Sequence, residues 1–218
     1  MQLNYDPACV KFAEAARLDP DKVWLWIELG DLWTTRGSLA EAKKAFSASR
    51  NAASRNGNDR DLSVSHNRIG DTQVAQGDLA GALKSYRDSL AIRDRLTQSD
   101  PGNAGWQRDL SVSYNKVGNV QVDQGDLAGA LTSYRDSLAI RDRLAQSDLG
   151  NAGWQRDLAV SNGNIGVTLN TSRRPEEALA AFRRGHAIMV QLTALSPDNV
   201  TWKRHLDWLE KQIAEISQ

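Results

Sequence analysis

The sequence has little of several features that mark particular classes of protein. Cys9 is the only cysteine among 218 residues, which excludes an intramolecular disulfide framework and fits a reducing compartment. Lysine plus arginine and aspartate plus glutamate number 27 each, so no net charge draws the chain to nucleic acid or to an anionic membrane. We therefore expect neither of these as a partner.

Long apolar runs are also missing. No stretch approaches the roughly 18 apolar residues that a membrane-spanning helix needs. The first twenty residues carry Asp6, Lys11, Glu14 and Arg17, which interrupt any signal-peptide core. These observations predict a cytoplasmic protein.

The sequence lacks the motifs of the common catalytic and metal-binding sites. It contains no glycine-rich phosphate loop, no Cys-x2-Cys pair and no His-Glu-x2-His. Its three histidines, His66, His186 and His205, show no metal-ligand spacing. We therefore predict no enzyme activity, no catalytic residue, no metal site and no cofactor.

What the sequence does contain is a repeat. The block 60–107 recurs at 108–155 with 39 of 48 residues identical, and a third copy begins at Arg156. The register is marked by glycines spaced 40, 48 and 48 residues apart: Gly30, Gly70, Gly118 and Gly166. An internal period of this length indicates a repeat architecture.

The residues around each marker glycine indicate a pair of antiparallel helices. Twelve residues after Gly70 comes Ala82, and four residues later comes Tyr86. Small residues allow two helices to approach closely, and the aromatic ring fills the space beside the crossing. Gly77 supplies the left-handed conformation that ends the first helix, and Asp78 can cap the second.

These motifs resemble the tetratricopeptide repeat. Trp26-x2-Leu29-Gly30-x2-Trp33 followed by Ala42-x3-Phe46 is similar to its signature. The later units are longer, like the long repeats of kinesin light chains and of many bacterial proteins. The resemblance implies an all-α, right-handed α-solenoid of antiparallel helix hairpins, with about ten helices.

We expect a single solenoid domain over residues 1–218. Helices are predicted at about 6–18 and 199–216, with hairpins at 22–55, 60–99, 104–147 and 152–196. The corresponding division is a half repeat, four repeats and a capping helix: 1–20, 21–56, 57–102, 103–150, 151–197 and 198–218.

Repeated arginine–aspartate pairs raise the question of carboxylates for acid–base chemistry. Four pairs occur, beginning at Arg87, Arg93, Arg135 and Arg141. Because each carboxylate has an arginine beside it, we interpret these pairs as a solvated outer face.

The resemblance implies that the first helix of each hairpin lines a concave surface that binds a peptide. The exposed inner positions are predicted to hold Asn67, Arg68, Asp71, Asn115, Lys116, Asn119 and Asn164. Asparagine side chains can bond a peptide backbone, and Arg68 and Lys116 would favour an acidic segment. The alternative is that Asn67 and Asn115 bond between neighbouring helices.

The leading interpretation is a protein-interaction module or scaffold that binds a protein or peptide partner, as a region of a larger bacterial protein. One alternative is a self-assembling solenoid, with homo-oligomers formed through the open side of the N-terminal helix at Val10 and Phe12. Another is a regulatory region of an attached enzyme or signalling domain.

Overall fold

The computed structural model describes residues 7–217, and this part of the chain forms ten helices and no strand. The helices are α1 (Pro7–Leu18), α2 (Val23–Thr35), α3 (Leu39–Arg55), α4 (Asp59–Ala75), α5 (Leu79–Ser99), α6 (Ala104–Asp123), α7 (Leu127–Ser147), α8 (Ala152–Thr171), α9 (Pro175–Leu195) and α10 (Val200–Ile216).

The predicted elements are confirmed to within about two residues at each end. All four predicted hairpins are present, as α2–α3, α4–α5, α6–α7 and α8–α9. The predicted N-terminal and C-terminal helices are α1 and α10, although the predicted first residue of α1, Asp6, lies outside the described residues. The fold class is all-α, as expected.

The helices group into two compact units, divided between Trp106 and Gln107. Unit 1 contains α1 to α5 and the first residues of α6. Unit 2 contains the rest of α6 and α7 to α10. The single solenoid domain over residues 1–218 remains a prediction.

Glycine and an aromatic ring meet at the crossing of each hairpin. A Cβ atom added to Gly70 would lie 2.5 Å from the ring of Tyr86, and one added to Gly118 would lie 2.7 Å from Tyr134. The same arrangement joins Gly30 to Phe46 and Gly166 to Phe182. The predicted role of the marker glycines is confirmed, since a larger residue would collide with the ring.

The turns inside the hairpins follow the predicted chemistry in three cases of four. Gly37, Gly77 and Gly125 all have positive φ and end the first helix of their hairpins. In the fourth hairpin Arg173 takes this place with φ 57°, and it is the only non-glycine residue with positive φ in the described part of the chain. Arginine has no steric freedom for this conformation, so this turn is strained relative to the others.

A capping network that the sequence did not reveal tightens two of these turns. Asp78 accepts a hydrogen bond from the Gly81 amide at 2.9 Å, as predicted for a helix cap. Gln73 donates to the Asp78 carboxylate at 3.0 Å and accepts from Ser85 at 2.7 Å. The Gly81 amide and Gln73 together lower the pKa of Asp78. Gln121, Asp126, Gly129 and Ser133 repeat the network.

The two terminal helices pack as predicted for the ends of a repeat array. In α10, Leu209 is fully buried, and Trp202, Leu206 and Ile213 pack against the same core. In α1, Cys9 is buried, and the ring of Phe12 packs edge-on against that of Trp24, with the two ring centroids 6.4 Å apart. Val10 remains 49% exposed, so one part of the apolar side of α1 is uncovered.

Candidate interaction surface

Two positions recur on the first helix of every hairpin and carry most of the predicted site. They lie two residues before and one residue after each marker glycine, one helical turn apart. We call them the first-helix face, with Glu28, Asp31, Arg68 and Asp71 in unit 1, and Lys116, Asn119, Asn164 and Val167 in unit 2.

In unit 1 the first-helix face holds three carboxylates around one guanidinium group. Arg68 lies 3.1 Å from the Asp31 carboxylate, with both side chains about 40% exposed. Asp71 accepts a hydrogen bond of 2.5 Å from the Tyr86 hydroxyl. Burial raises the pKa of Asp31, Arg68 opposes this effect, and Glu28 and Asp71 add to it. The surface therefore carries a net negative charge.

In unit 2 the first-helix face is amide-rich. Asn119 is exposed and accepts a hydrogen bond of 2.7 Å from the Tyr134 hydroxyl. Burial raises the pKa of Tyr134 to about 12, with a smaller contribution from the charge of Asp123. Lys116 and Asn164 are half-buried, and Val167 is 38% exposed. No carboxylate stands at these four positions, and the exposed Asp123, one turn beyond Asn119, balances the charge of Lys116, so this surface has no net charge.

The predicted exposure of Asn67 and Asn115 is wrong. The two side chains are only 6% and 8% exposed. Each stands three residues before a marker glycine, and residues three apart share one side of a helix. Both side chains are therefore closed to solvent and do not belong to the accessible surface. The remaining predicted residues, Arg68, Asp71, Lys116, Asn119 and Asn164, are at least partly accessible.

Sequence reasoning omitted two acidic members of the unit 1 face. Glu28 and Asp31 occupy the repeat positions of Arg68 and Asp71, forty residues earlier. The structure brings Asp31 into contact with Arg68, so the pair forms one charged group. Counting the register back to Gly30 would have found both residues.

Two of the arginines interpreted as solvent-facing are in fact buried. Arg93 and Arg141 are 7% and 6% exposed, and each donates from Nε to a serine hydroxyl, of Ser63 at 3.3 Å and Ser111 at 3.2 Å. Arg141 also donates to the Asp157 carbonyl at 2.8 Å. Burial lowers its pKa to about 10 despite the opposing charge of Asp157. Both arginines join the two helices of their own hairpin, and Arg141 also joins α7 to α8 of the next hairpin.

Asp157 completes a buried ionic cluster in unit 2. Its side chain is 5% exposed and lies 2.8 Å from Nε of Arg108. Arg156 approaches the other carboxylate oxygen at 3.6 Å. Arg108 and Arg156 are each about half exposed, so only the Asp157 carboxylate is enclosed, and its pairing with these arginines indicates a structural role.

Titratable side chains elsewhere show no gathering of chemically reactive groups. Within residues 7–217 no three His, Cys, Asp or Glu side chains come together as metal ligands would. Burial lowers the pKa of both His66 and His205.

Of the described helices, none has the length and apolar character to cross a membrane.

Comparison with known proteins identifies the fold but no family. The sequence matches no protein-family description and no curated protein. Among solved structures, BtubC (BKLC) from P. vanneervenii aligns over 96% of this chain and 88% of its own, with a TM-score of 0.65 and 14% identity. RapI in its apo form aligns over 89% of this chain and 65% of its own, with a TM-score of 0.66 and 12% identity.

A third solved structure, MamA, aligns over 84% of this chain and 87% of its own, with a TM-score of 0.59 and 13% identity. These neighbours are tetratricopeptide-type helical repeat proteins. The fold of this chain is therefore a helical solenoid of tetratricopeptide-like repeats, as its sequence pattern predicts.

Proposed function

We propose that this chain is a protein-interaction module that binds a segment of a protein partner on its first-helix face. The segment is an extended or helical peptide, and the module is one region of a larger bacterial, cytoplasmic protein. The buried single cysteine is consistent with a reducing compartment.

The observation that carries this proposal is where the two near-identical repeats differ. Of the nine differences between 60–107 and 108–155, six fall within the ten residues 66–75 and 114–123 of the first helices. Three of these are accessible in at least one copy and stand on one side of the helix: Arg68/Lys116, Asp71/Asn119 and Ala75/Asp123.

The second helices provide the contrast. Apart from Lys84, which becomes Thr132, their exposed charges recur: Arg87, Asp88 and Arg95 return as Arg135, Asp136 and Arg143. If copying followed by random surface change explained the differences, they would be spread over both helices. Their concentration on the first helix supports a surface where the identity of the side chain matters, as recognition requires.

The charges revise the expected chemistry of the bound segment. Arg68 was expected to favour an acidic stretch, but it is already paired with Asp31 beside Glu28 and Asp71. The unit 1 face therefore favours a basic stretch by charge complementarity. The amides of Asn119 and Asn164 in unit 2 suit backbone groups, which carry both donors and acceptors.

A random peptide display library tests the proposal directly. Peptides selected on the whole chain should protect backbone amides of the first helices from hydrogen exchange. Lys116→Glu and Asp71→Lys should each weaken binding by about 1–3 kcal/mol where a charged contact is lost. Thr132→Lys, an exposed change that copies Lys84 of the previous repeat, is the matched control.

Protection confined to the second helices would move the site away from the first-helix face. Failure to select any binder in repeated experiments would argue against a peptide-binding module.

Self-association is a second candidate, favoured by the apolar surface at the start of unit 1. Val10, Leu18 and Trp24 are 49%, 74% and 51% exposed. If a second copy covered these side chains, the association would gain about 25 cal/mol of free energy for each Å² of apolar surface buried. Val10→Glu should then dissociate an oligomer seen by light scattering, and a concentration-independent monomer would exclude this route.

A further inference from the structure

A groove on the second-helix side of unit 2 is separate from the first-helix face. It has a volume of about 480 Å³ and lies between α7 and α9, with α8 beneath. Its apolar lining consists of Leu138, Ala139, Leu158, Ala187 and Ile188. This volume falls within the usual range for sites that enclose a bulky side chain or a small ligand.

The groove exists where a ring is missing from the repeat. The position four residues before the marker glycine holds Trp26, His66 and Tyr114 in the first three repeats, and Asn162 in the fourth. In unit 1 the His66 ring fills this position, 3.8 Å from the Asp88 carboxylate of α5. Asn162 is too short to do the same, so the space beside it stays open.

The lining of the groove has also become apolar. Counting from the crossing aromatics Phe46 and Tyr134, the α7 residues Leu138 and Ala139 correspond to Arg50 and Asn51 of α3. A polar groove occupied by a ring in unit 1 thus has an apolar, open counterpart in unit 2. Apolar surface of this kind gains free energy when a partner side chain covers it.

The charges at the edge of the groove indicate which kind of residue would flank the apolar side chain of a bound partner. Arg135 and Arg184 line it and are exposed to solvent, whereas Asp142 is half-buried and bonded to Gln146 at 2.7 Å. Arg184 donates to Asn162 at 3.2 Å through Nε, and its guanidinium group has further donors. Two arginines against one engaged carboxylate give a positive edge, which complements a carboxylate.

We propose that this groove binds a segment of a partner protein in which a large apolar side chain is flanked by an acidic residue. The apolar side chain takes the place that the ring of His66 occupies in the second repeat. The acidic residue pairs with Arg184 and Arg135. The proposal is independent of the first-helix face, because no residue of that face lines the groove.

The test is a random peptide display library panned on the whole chain, with counter-selection on Asn162→Tyr. This variant restores the ring of the third repeat and should close the groove. Peptides that prefer the unchanged chain should carry Trp, Phe, Leu or Met next to Asp or Glu. Their affinity should fall by about tenfold or more in Asn162→Tyr and in Arg184→Glu.

Two further measurements keep the result interpretable. Arg184→Glu changes an exposed side chain, so it tests the charge even if Asn162→Tyr disturbs folding. Thr132→Lys, exposed on α7 outside the groove, should leave the affinity unchanged. A peptide that loses affinity in Lys116→Glu but not in Asn162→Tyr or Arg184→Glu binds to the first-helix face.

Three outcomes would overturn the proposal. The selected peptides could lack acidic residues, or could bind Arg184→Glu as well as they bind the unchanged chain. The selection could yield no peptide that distinguishes Asn162→Tyr. Sedimentation could show a dimer that Asn162→Tyr dissociates, which would assign the groove to a second copy of the chain.

Discussion

The hairpins α4–α5 and α6–α7 are nearly the same sequence, and they show which parts of a repeat are fixed. Gly70 meets Tyr86 as Gly118 meets Tyr134, and Gln73 bridges Asp78 and Ser85 as Gln121 bridges Asp126 and Ser133. The two hairpins differ mainly along one stretch of the first helix. Packing and capping are thus shared, while the surface that a partner would meet is not.

The largest expected effect concerns the buried arginines that recur in the two hairpins. Asp157→Ala removes the carboxylate that offsets Arg141, so we expect the free energy of unfolding to fall by about 3–5 kcal/mol. Asp136→Ala, an exposed aspartate of α7, should change it by less than about 0.5 kcal/mol. Urea denaturation measures both changes, and an equal loss in the free energy of unfolding for the two variants would contradict this expectation.

The crossing glycines should be equally sensitive in both hairpins. Gly70→Ala and Gly118→Ala each force a methyl group against a tyrosine ring, and we expect a loss of about 1–3 kcal/mol in each case. Gly102→Ala is the control, because its nearest neighbour would lie 3.6 Å away. Thermal unfolding with unchanged stability in Gly70→Ala would show that the ring moves aside freely.

The turn of the fourth hairpin offers a smaller change of opposite sign. Arg173 stands in the left-handed conformation that Gly77 and Gly125 occupy without strain. Arg173→Gly should therefore raise the free energy of unfolding by about 0.5–1 kcal/mol. Gly125→Arg should lower it by a similar or larger amount, and chemical denaturation of both variants would measure the difference.

The smallest expected effect is on how the stability depends on pH, because His66 in one hairpin stands where Tyr114 stands in the other. Burial lowers the pKa of His66 below 6.5, although Asp88 opposes this and Arg50 adds to it. The folded state prefers the neutral ring, so His66 costs stability as the pH falls from about 6.5 toward its lowered pKa. His66→Tyr, which copies Tyr114, should weaken this loss. Burial also lowers the pKa of His205, which remains in the variant, so part of the pH dependence remains.

Most of the fold could be predicted because the repeat register fixes helix ends, crossings and caps together. Gly70, Ala82 and Tyr86 recur at constant spacing, and only a helical hairpin satisfies all three. The strained turn at Arg173 could not be predicted from the pattern, since the fourth hairpin has no equivalent of the turn glycines Gly37, Gly77 and Gly125.

The surface was less predictable because neighbouring helix positions differ greatly in burial. Asn67 and Arg68 are adjacent in sequence, yet Asn67 is buried and Arg68 pairs with Asp31 at the surface. Arg93 and Arg141 look like surface residues, but both donate to buried serine hydroxyls, and Arg141 also donates to a carbonyl of the next repeat. Such pairings depend on distances between helices, which one sequence does not contain.

The most direct test of the interaction surface exchanges the first-helix face of one repeat for that of the other. Lys116→Arg, Asn119→Asp and Asp123→Ala together give α6 the residues of α4 at these three positions. The control exchanges an exposed difference on the second helix, Thr132→Lys. Titration calorimetry should show that a library-selected peptide loses about tenfold or more in affinity for the first variant and keeps its affinity for the control. Equal affinity for both variants, with helicity intact, would contradict the assignment of binding to the first-helix face.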